Sequence, residues 1–290
     1  MKFHMYHGKS IALLIPARNE ALSLPRVLRA VPPEIDRLVV IDNGSTDATN
    51  LIAQEHGAST VKVSEAGYGR ACLAGIAFLS GDPPDIVAFA DGDGSDEISR
   101  LLELIDHITS KSSDLVMEKR IPANPEAISP QQRFGNFLAT KLIRLIWRHG
   151  FTDLGPMRAI SWEALQDLDM RDQNFGWTIE MQIKAVKAGL KITECPLPYR
   201  NRIAGQSKVS RTLKGTMLAG VKIIWVIFRE ATFPRSGSQR NARGKYHERA
   251  RDAFCRKKNC TAECADQATA GENHITAAIK SLSIHWPWIA

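Results

Sequence analysis

The chain has 290 residues, 44% hydrophobic and 24% charged, enough for one large domain or two small ones and too apolar for a disordered chain. It carries 38 Lys and Arg against 31 Asp and Glu, a formal charge of +7. The five cysteines form no disulfide framework: Cys72 and Cys195 sit in apolar segments, and Cys255, Cys260 and Cys264 lack the spacing of a zinc site.

Met1 to Lys9 is polar and has no apolar run of a secretory signal, so a cytoplasmic, reducing location is expected. Strands and helices then alternate. Strands are predicted at Ile11–Ile15, Leu38–Ile41, Ser59–Val63, Asp85–Ala90 and Asp114–Met117, with helices at Ala21–Ala30, Thr46–His56, Ala71–Leu79 and Ile98–Thr109 between them. This rhythm implies an α/β fold with a mostly parallel sheet covered by helices on both faces.

A Pro-rich loop, Pro122–Pro130, separates this half from a long helix at Arg133–Trp147. A short strand at Met157–Ile160, a helix at Ser161–Leu168, a helix at Thr178–Ala188 stopped by Gly189, and a strand at Leu190–Glu194 follow. Leu213–Phe228 is 16 residues long and contains Lys214 and Lys222, too short and charged to span a bilayer. It suits an amphipathic helix, lying on a membrane surface or docked on the protein. The expected organisation is a catalytic domain over 1–210, this helix within 211–232, and a basic, poorly ordered tail over 233–290. Trp286 and Trp288 could anchor its end. The tail is either a solvated segment or a contact for anionic lipid or nucleic acid; with no recognisable module, no specific nucleic-acid partner is expected.

Three strand ends carry notable residues: Pro16-Ala17-Arg18-Asn19-Glu20, Asp42-Asn43-Gly44-Ser45-Thr46-Asp47 and Asp91-Gly92-Asp93. In an open parallel sheet such ends line one crevice. Asp91 and Asp93 repel each other, and a hard divalent cation on a diphosphate offsets that repulsion. Glu20 and Asp42 can accept hydrogen bonds from a ribose or a base. Read singly, Asn-Gly-Ser-Thr and Asp-Gly-Asp-Gly are also ordinary turn sequences.

Together with Gly67-Tyr68-Gly69-Arg70-Ala71, these segments resemble the family-2 glycosyltransferases, which have the GT-A fold; the resemblance covers about residues 10–210. It implies that Pro16, Ala17, Glu20 and Asp42 contact the nucleotide of an NDP-sugar donor. It also implies that Asp91 and Asp93 hold Mg²⁺ or Mn²⁺, and that Arg70 approaches the phosphates. The order of Glu118-Lys119-Arg120, Arg133-Phe134-Gly135-Asn136, Thr152 to Ala159, Phe175 to Glu180 and Tyr199 to Ser210 is similar to the dolichyl- and polyprenyl-phosphate sugar synthases. That resemblance implies transfer of mannose or glucose to a lipid phosphate, with Arg120, Arg133, Arg202 and Lys208 gripping anionic phosphate.

Several of these residues have structural readings beside the functional one. Arg133 at a helix start opposes the dipole, which favours a functional reason. Arg120 could be a surface residue, and Arg158 could pair with Asp153. Trp177 is core or a wall for the sugar. Glu180 is a salt-bridge partner or an acid facing the acceptor, where it would be the first choice for a general base and Asp153 the second. Asp96 could join the metal or cap the next helix.

The expectation is therefore a metal-dependent, inverting hexosyltransferase acting on a polyprenyl or dolichyl phosphate, cytoplasmic or peripheral at the inner face of the membrane. A soluble transferase acting on a small hydroxyl acceptor and a non-catalytic NDP-sugar binder are the alternatives. Nucleotidyl transfer would need a Gly-rich basic loop after the first strand, which Arg18 alone does not supply.

Overall fold

A computed structural model describes residues 5–204 and the helix 213–232, with side chains of that helix from Gly220 onward. Residues through Ala231 form one compact unit, and a second unit covers 232–290. Lys208 and the tail expected to be poorly ordered lie outside the described residues.

Seven strands form one sheet: β1 (Ile11–Ala17), β2 (Arg37–Asp42), β3 (Ser59–Lys62), β4 (Ile86–Phe89), β5 (Leu115–Pro122), β6 (Arg158–Ser161) and β7 (Ile192–Tyr199), in the order β3-β2-β1-β4-β6-β5-β7. Strands β1 to β4 are parallel, as their intervening helices require. β6 runs antiparallel to both β4 and β5, which the alternating pattern did not reveal. β5 and β7 each also run five residues beyond their expected ends and pair in register from Leu115↔Ile192 to Pro122↔Tyr199.

The helices are α1 (Leu24–Arg29), α2 (Thr49–Glu55), α3 (Tyr68–Leu79), α4 (Leu101–Thr109), α5 (Pro130–Trp147), α6 (Trp162–Leu168), α7 (Trp177–Ala188) and α8 (Leu213–Thr232). β1 is buried on both faces, so it reads as an unbroken apolar run. Ile11, Leu13 and Ile15 join a core with Leu24, Val27 and Leu28 of α1 and Leu101, Leu104 and Ile105 of α4. Leu14 faces the other way, against α3, where a Cβ on Gly75 would come within 3.0 Å of both Leu14 and Ile41. The absent side chain lets the helix lie close to the sheet, and helices therefore cover both faces.

α5 starts three residues earlier than expected. Ser129 accepts the Gln132 amide at 3.2 Å while Gln132 Oε1 accepts the Ser129 amide at 2.9 Å, a reciprocal cap that fixes the start at Pro130. Arg133 is therefore the fourth residue of the helix and not its first, which weakens the argument from a cation at the helix start.

Candidate active site

The ends of β1, β2 and β4 open into a cleft of about 390 Å³. Pro16, Ala17, Glu20, Asp91, Asp93 and Arg202, all expected there, line it. Its floor is cross-tied by short polar residues. Asn19, in the left-handed region at φ 52°, accepts the Thr46 amide at 2.8 Å, and its own amide donates to Ser45 Oγ at 3.0 Å. Asn43 donates its amide to the Ala17 carbonyl at 2.8 Å, and its side chain accepts the Gly67 amide at 2.9 Å. The three loops are thereby held as one rigid rim.

The acidic pair follows β4, beside the end of β1, where a Cβ on Gly92 would lie 3.2 Å from Ala17. Asp93 Oδ1 accepts the Ser95 amide at 2.9 Å, and Arg202 Nη2 lies 2.5 Å from Asp93 Oδ2 and 3.9 Å from Glu20 Oε1. Burial works against the Arg202 charge, but the Asp93 contact outweighs it and raises the guanidinium pKa. Glu20 Oε2 accepts the Ser23 hydroxyl at 2.8 Å, and that hydroxyl also lies 3.0 Å from the Gly92 carbonyl. Burial, reinforced by the neighbouring Asp93 charge, pushes the Asp91 carboxyl up to about 7.

The loop carrying this pair is clamped by the chain that leaves β7. The Arg200 amide donates to the Ser95 carbonyl at 2.9 Å and the Ile203 amide to the Asp93 carbonyl at 3.0 Å. Gly94 turns at φ 76°, and a Cβ there would collide with Ile203. Asp96 does not cap the next helix. Its Oδ2 accepts the Asp91 amide at 2.9 Å, fixing the backbone of the acidic motif from behind. Asp96 and Glu118 are both buried, and burial together with neighbouring carboxylates raises both, Glu118 to about 8.

The donor set fits a hard divalent cation. Asp91 Oδ1 is buried with no hydrogen-bond partner, and Asp93 Oδ2 already faces a positive charge. Among the described residues no three acidic, His or Cys side chains converge as a self-contained metal centre. Two carboxylates completed by substrate phosphate oxygens is the usual Mg²⁺ arrangement.

Other expected site residues lie elsewhere. Asp42 is buried at the end of β2 and accepts the Ser45 amide at 2.9 Å; Asn43, beside it, lines the cleft instead. Arg70 pairs with Glu65 at 2.7 Å and donates to Gln173 Oε1 at 2.8 Å. Arg133 is exposed and donates to the carbonyls of Ile128 at 3.1 Å and Pro125 at 2.7 Å, so it closes the Pro-rich loop rather than facing the cleft. Arg120 is not a surface residue. Its side chain, 10% exposed, forms a two-pronged pair with Asp153, at 2.8 and 2.7 Å. Asp153 therefore pairs with Arg120 and not with Arg158, whose guanidinium donates to backbone carbonyls of Gly155, Pro156 and Thr178.

Glu180 does not face an acceptor. It is fully buried, accepts the amides of Arg171 at 3.1 Å and Asp172 at 2.7 Å, and pairs with Lys184 and Arg229. Trp177 is core, packed against Phe89 at 4.9 Å between ring centres. The sequence reading missed Arg18, Asn43, Tyr68, Asn174 and Phe175 as lining residues. Arg18, Asn43, Tyr68 and Phe175 lay within quoted motifs, and Asn174 did not. Asn174 reaches the cleft because the 172–174 backbone abuts Gly69, where a Cβ would strike the Asp172 carbonyl.

A nucleotide-sized cleft at the carboxyl ends of parallel strands, walled by an Asp-x-Asp pair, defines a GT-A transferase fold. The family model for glycosyl transferase family 2 matches residues 12–169, and the chain belongs to that family. It is 36% identical over 212 residues to the uncharacterized glycosyltransferase Rv0539 of Mycobacterium tuberculosis, covering 73% of this chain and 95% of the relative. It is 30% identical over 232 residues to a dolichyl-phosphate hexose transferase of Haloferax volcanii, covering 78% and 97%. Among solved structures, glucosyl-3-phosphoglycerate synthase of M. tuberculosis with Mn²⁺, UDP and glucosyl-3-phosphoglycerate superposes with a TM-score of 0.64. That match has 23% identity and covers 79% of this chain and 82% of the other.

Proposed function

We propose that this glycosyltransferase moves a hexose from an NDP-sugar, of the UDP-glucose or GDP-mannose type, to a polyprenyl or dolichyl phosphate at the inner face of the membrane. The observation that carries the reading is the meeting of Asp91, Asp93, Glu20 and Arg202 in one cleft. Pro16, Ala17 and Asn43 would hold the nucleotide, and Glu20 would accept from it. Asp91 and Asp93 would hold Mg²⁺ or Mn²⁺, which when bound supplies positive charge to the departing diphosphate.

Arg202 contributes a second positive charge, half-buried and already in place, to the leaving group. The acceptor oxygen displaces the nucleoside diphosphate at the anomeric carbon from the opposite face, inverting it. A hydroxyl acceptor needs a base to take its proton. The carboxylates lining the cleft among the described residues are Glu20, Asp91 and Asp93, which the donor side engages, while Glu180 and Asp153 are locked in buried pairs. A phosphate acceptor is already ionised and needs no base, which favours it. The acceptor of the relative, named a dolichyl-phosphate hexose transferase, is of that class.

The test offers radiolabelled UDP-glucose and GDP-mannose with Mn²⁺ to the full chain, with either a short polyprenyl phosphate or a panel of small hydroxyl acceptors. Label passing into the lipid phosphate supports the reading. Label passing only to a hydroxyl acceptor would establish the soluble alternative.

A further inference from the structure

α8 is docked on the protein and also presents an apolar ridge outward. Val226 and Ile227 are buried, and Val226 packs on Gly176, where a Cβ would lie 2.5 Å from it. Val221, Ile224, Trp225 and Phe228, spaced i, i+3, i+4 and i+7, share the other face and are 44 to 55% exposed. Docking alone does not account for that second face.

The two faces are joined by two cations. Lys222 Nζ lies 4.6 Å and Arg229 Cζ 5.1 Å from the centre of the Trp225 ring. Lys222 also pairs with Asp172 at 3.0 Å, and Arg229 with Glu180 at 2.8 Å. Both carboxylates shape the loop before α7. Glu180 accepts the Arg171 and Asp172 amides, and Asp172 accepts those of Asn174 at 2.8 Å and Gly176 at 3.2 Å. That loop delivers Asn174 and Phe175 to the cleft.

We propose that the outer ridge of α8 is a docking surface for an anionic lipid bilayer, and that its seating sets the 171–176 loop at the edge of the cleft. The proposal rests on the functional reading above only in giving the cleft its role. Charge names the occupant. Among the described side chains of α8 the sole acid, Glu230, pairs with Lys187 at 3.0 Å and leaves the ridge without negative charge. The sequence that follows carries nine Arg and Lys against two acids between 233 and 258, matching a negative lipid surface. No helix of the described residues is long and apolar enough to cross a membrane, so α8 would lie in the interface.

The test measures partition of the full chain onto phosphatidylglycerol-containing vesicles and onto pure phosphatidylcholine, with amide hydrogen exchange followed over 171–176. The wild type is expected on the anionic vesicles, with exchange over 171–176 slowed several-fold. Ile224→Ser with Phe228→Ser should lower partition at least about tenfold, since two apolar side chains lose their burial. Lys222→Ala should still bind but lose the change over 171–176. Equal binding by the ridge variant, loss of binding only on substituting the exposed Phe134 and Phe137 of α5, a dimer that the ridge variant dissociates, or exchange unaltered by vesicles would overturn the proposal. Nucleotide binding, measured separately, reports on the functional reading and not on this one.

Discussion

The guanidinium of Arg202 and the carboxylate of Asp93, 109 residues apart in sequence, meet at 2.5 Å on the cleft wall. Arg202 therefore occupies the side of Asp93 that a cation would use. Replacing Arg202 by Ala should have two opposite effects. Affinity for Mn²⁺ alone should rise, because a competing positive charge leaves Asp93. Affinity for the nucleoside diphosphate with Mn²⁺ should fall by about 10- to 100-fold, the worth of a hydrogen bond to a charged group. Titration calorimetry of both ligands separates these effects.

Asp96 holds the Asp91 amide from behind the cleft and is crowded by Glu118 and Asp91. Asp96→Asn keeps an acceptor oxygen and removes a charge, so its melting temperature should match or exceed the wild type's. Asp96→Ala leaves the Asp91 amide unsatisfied and should cost about 1–3 kcal/mol, with weaker Mn²⁺ affinity. Equal melting of the two variants would show that the contact does not position the acidic motif.

Glu118 gives a pH signature. Its carboxyl is raised to about 8 by burial, with Arg120 opposing and Asp153 and Asp91 adding. Between about 4.5 and 8 the folded protein keeps a proton on Glu118 that the unfolded chain has lost. Folding thus binds protons, and this group's contribution to stability falls as pH rises, by about 1.4 kcal/mol per unit at most. Below that window its contribution is complete; above it the loss levels off. Thermal melts from pH 5 to 9 in EDTA should show a steeper decline for wild type than for Glu118→Gln. Parallel slopes would place the proton elsewhere.

Glu180→Gln tests the correction to the expected base. With Lys184 and Arg229 left short of a buried partner, stability should fall by about 3–5 kcal/mol. Donor affinity of the folded fraction at low temperature should change less than about threefold, a bound set well below the loss of a charged contact. A variant that melts normally yet transfers no sugar would return Glu180 to the chemistry.

The parallel half of the sheet was legible because β1 and β4 are buried throughout, β2 is buried over its last four residues, and turn residues bound them. The acidic pair and its two companion strand ends were legible for the same reason: they end apolar runs, and strand ends in such a sheet converge. Arg202 came from motif order alone, since only the return of β7 past β5 brings it to Asp93. The direction of the antiparallel β6 was not legible, because a strand of four residues has no pattern that distinguishes one direction from the other. The surroundings of Arg120, Arg133 and Glu180 were not legible, for one shared reason. A charged residue in a motif looks alike whether it meets a ligand or a partner, and here Asp153, two loop carbonyls and a Lys–Arg pair are the partners.

The most direct measurement is calorimetric titration of UDP, GDP, UDP-glucose and GDP-mannose into the full chain with Mn²⁺ and with EDTA, beside Asp93→Ala. One nucleotide and its sugar should bind in the micromolar range with Mn²⁺, lose that binding in EDTA, and fail to bind Asp93→Ala while the variant melts as a folded protein. Binding that survives both EDTA and Asp93→Ala would contradict a donor site built on Asp91 and Asp93.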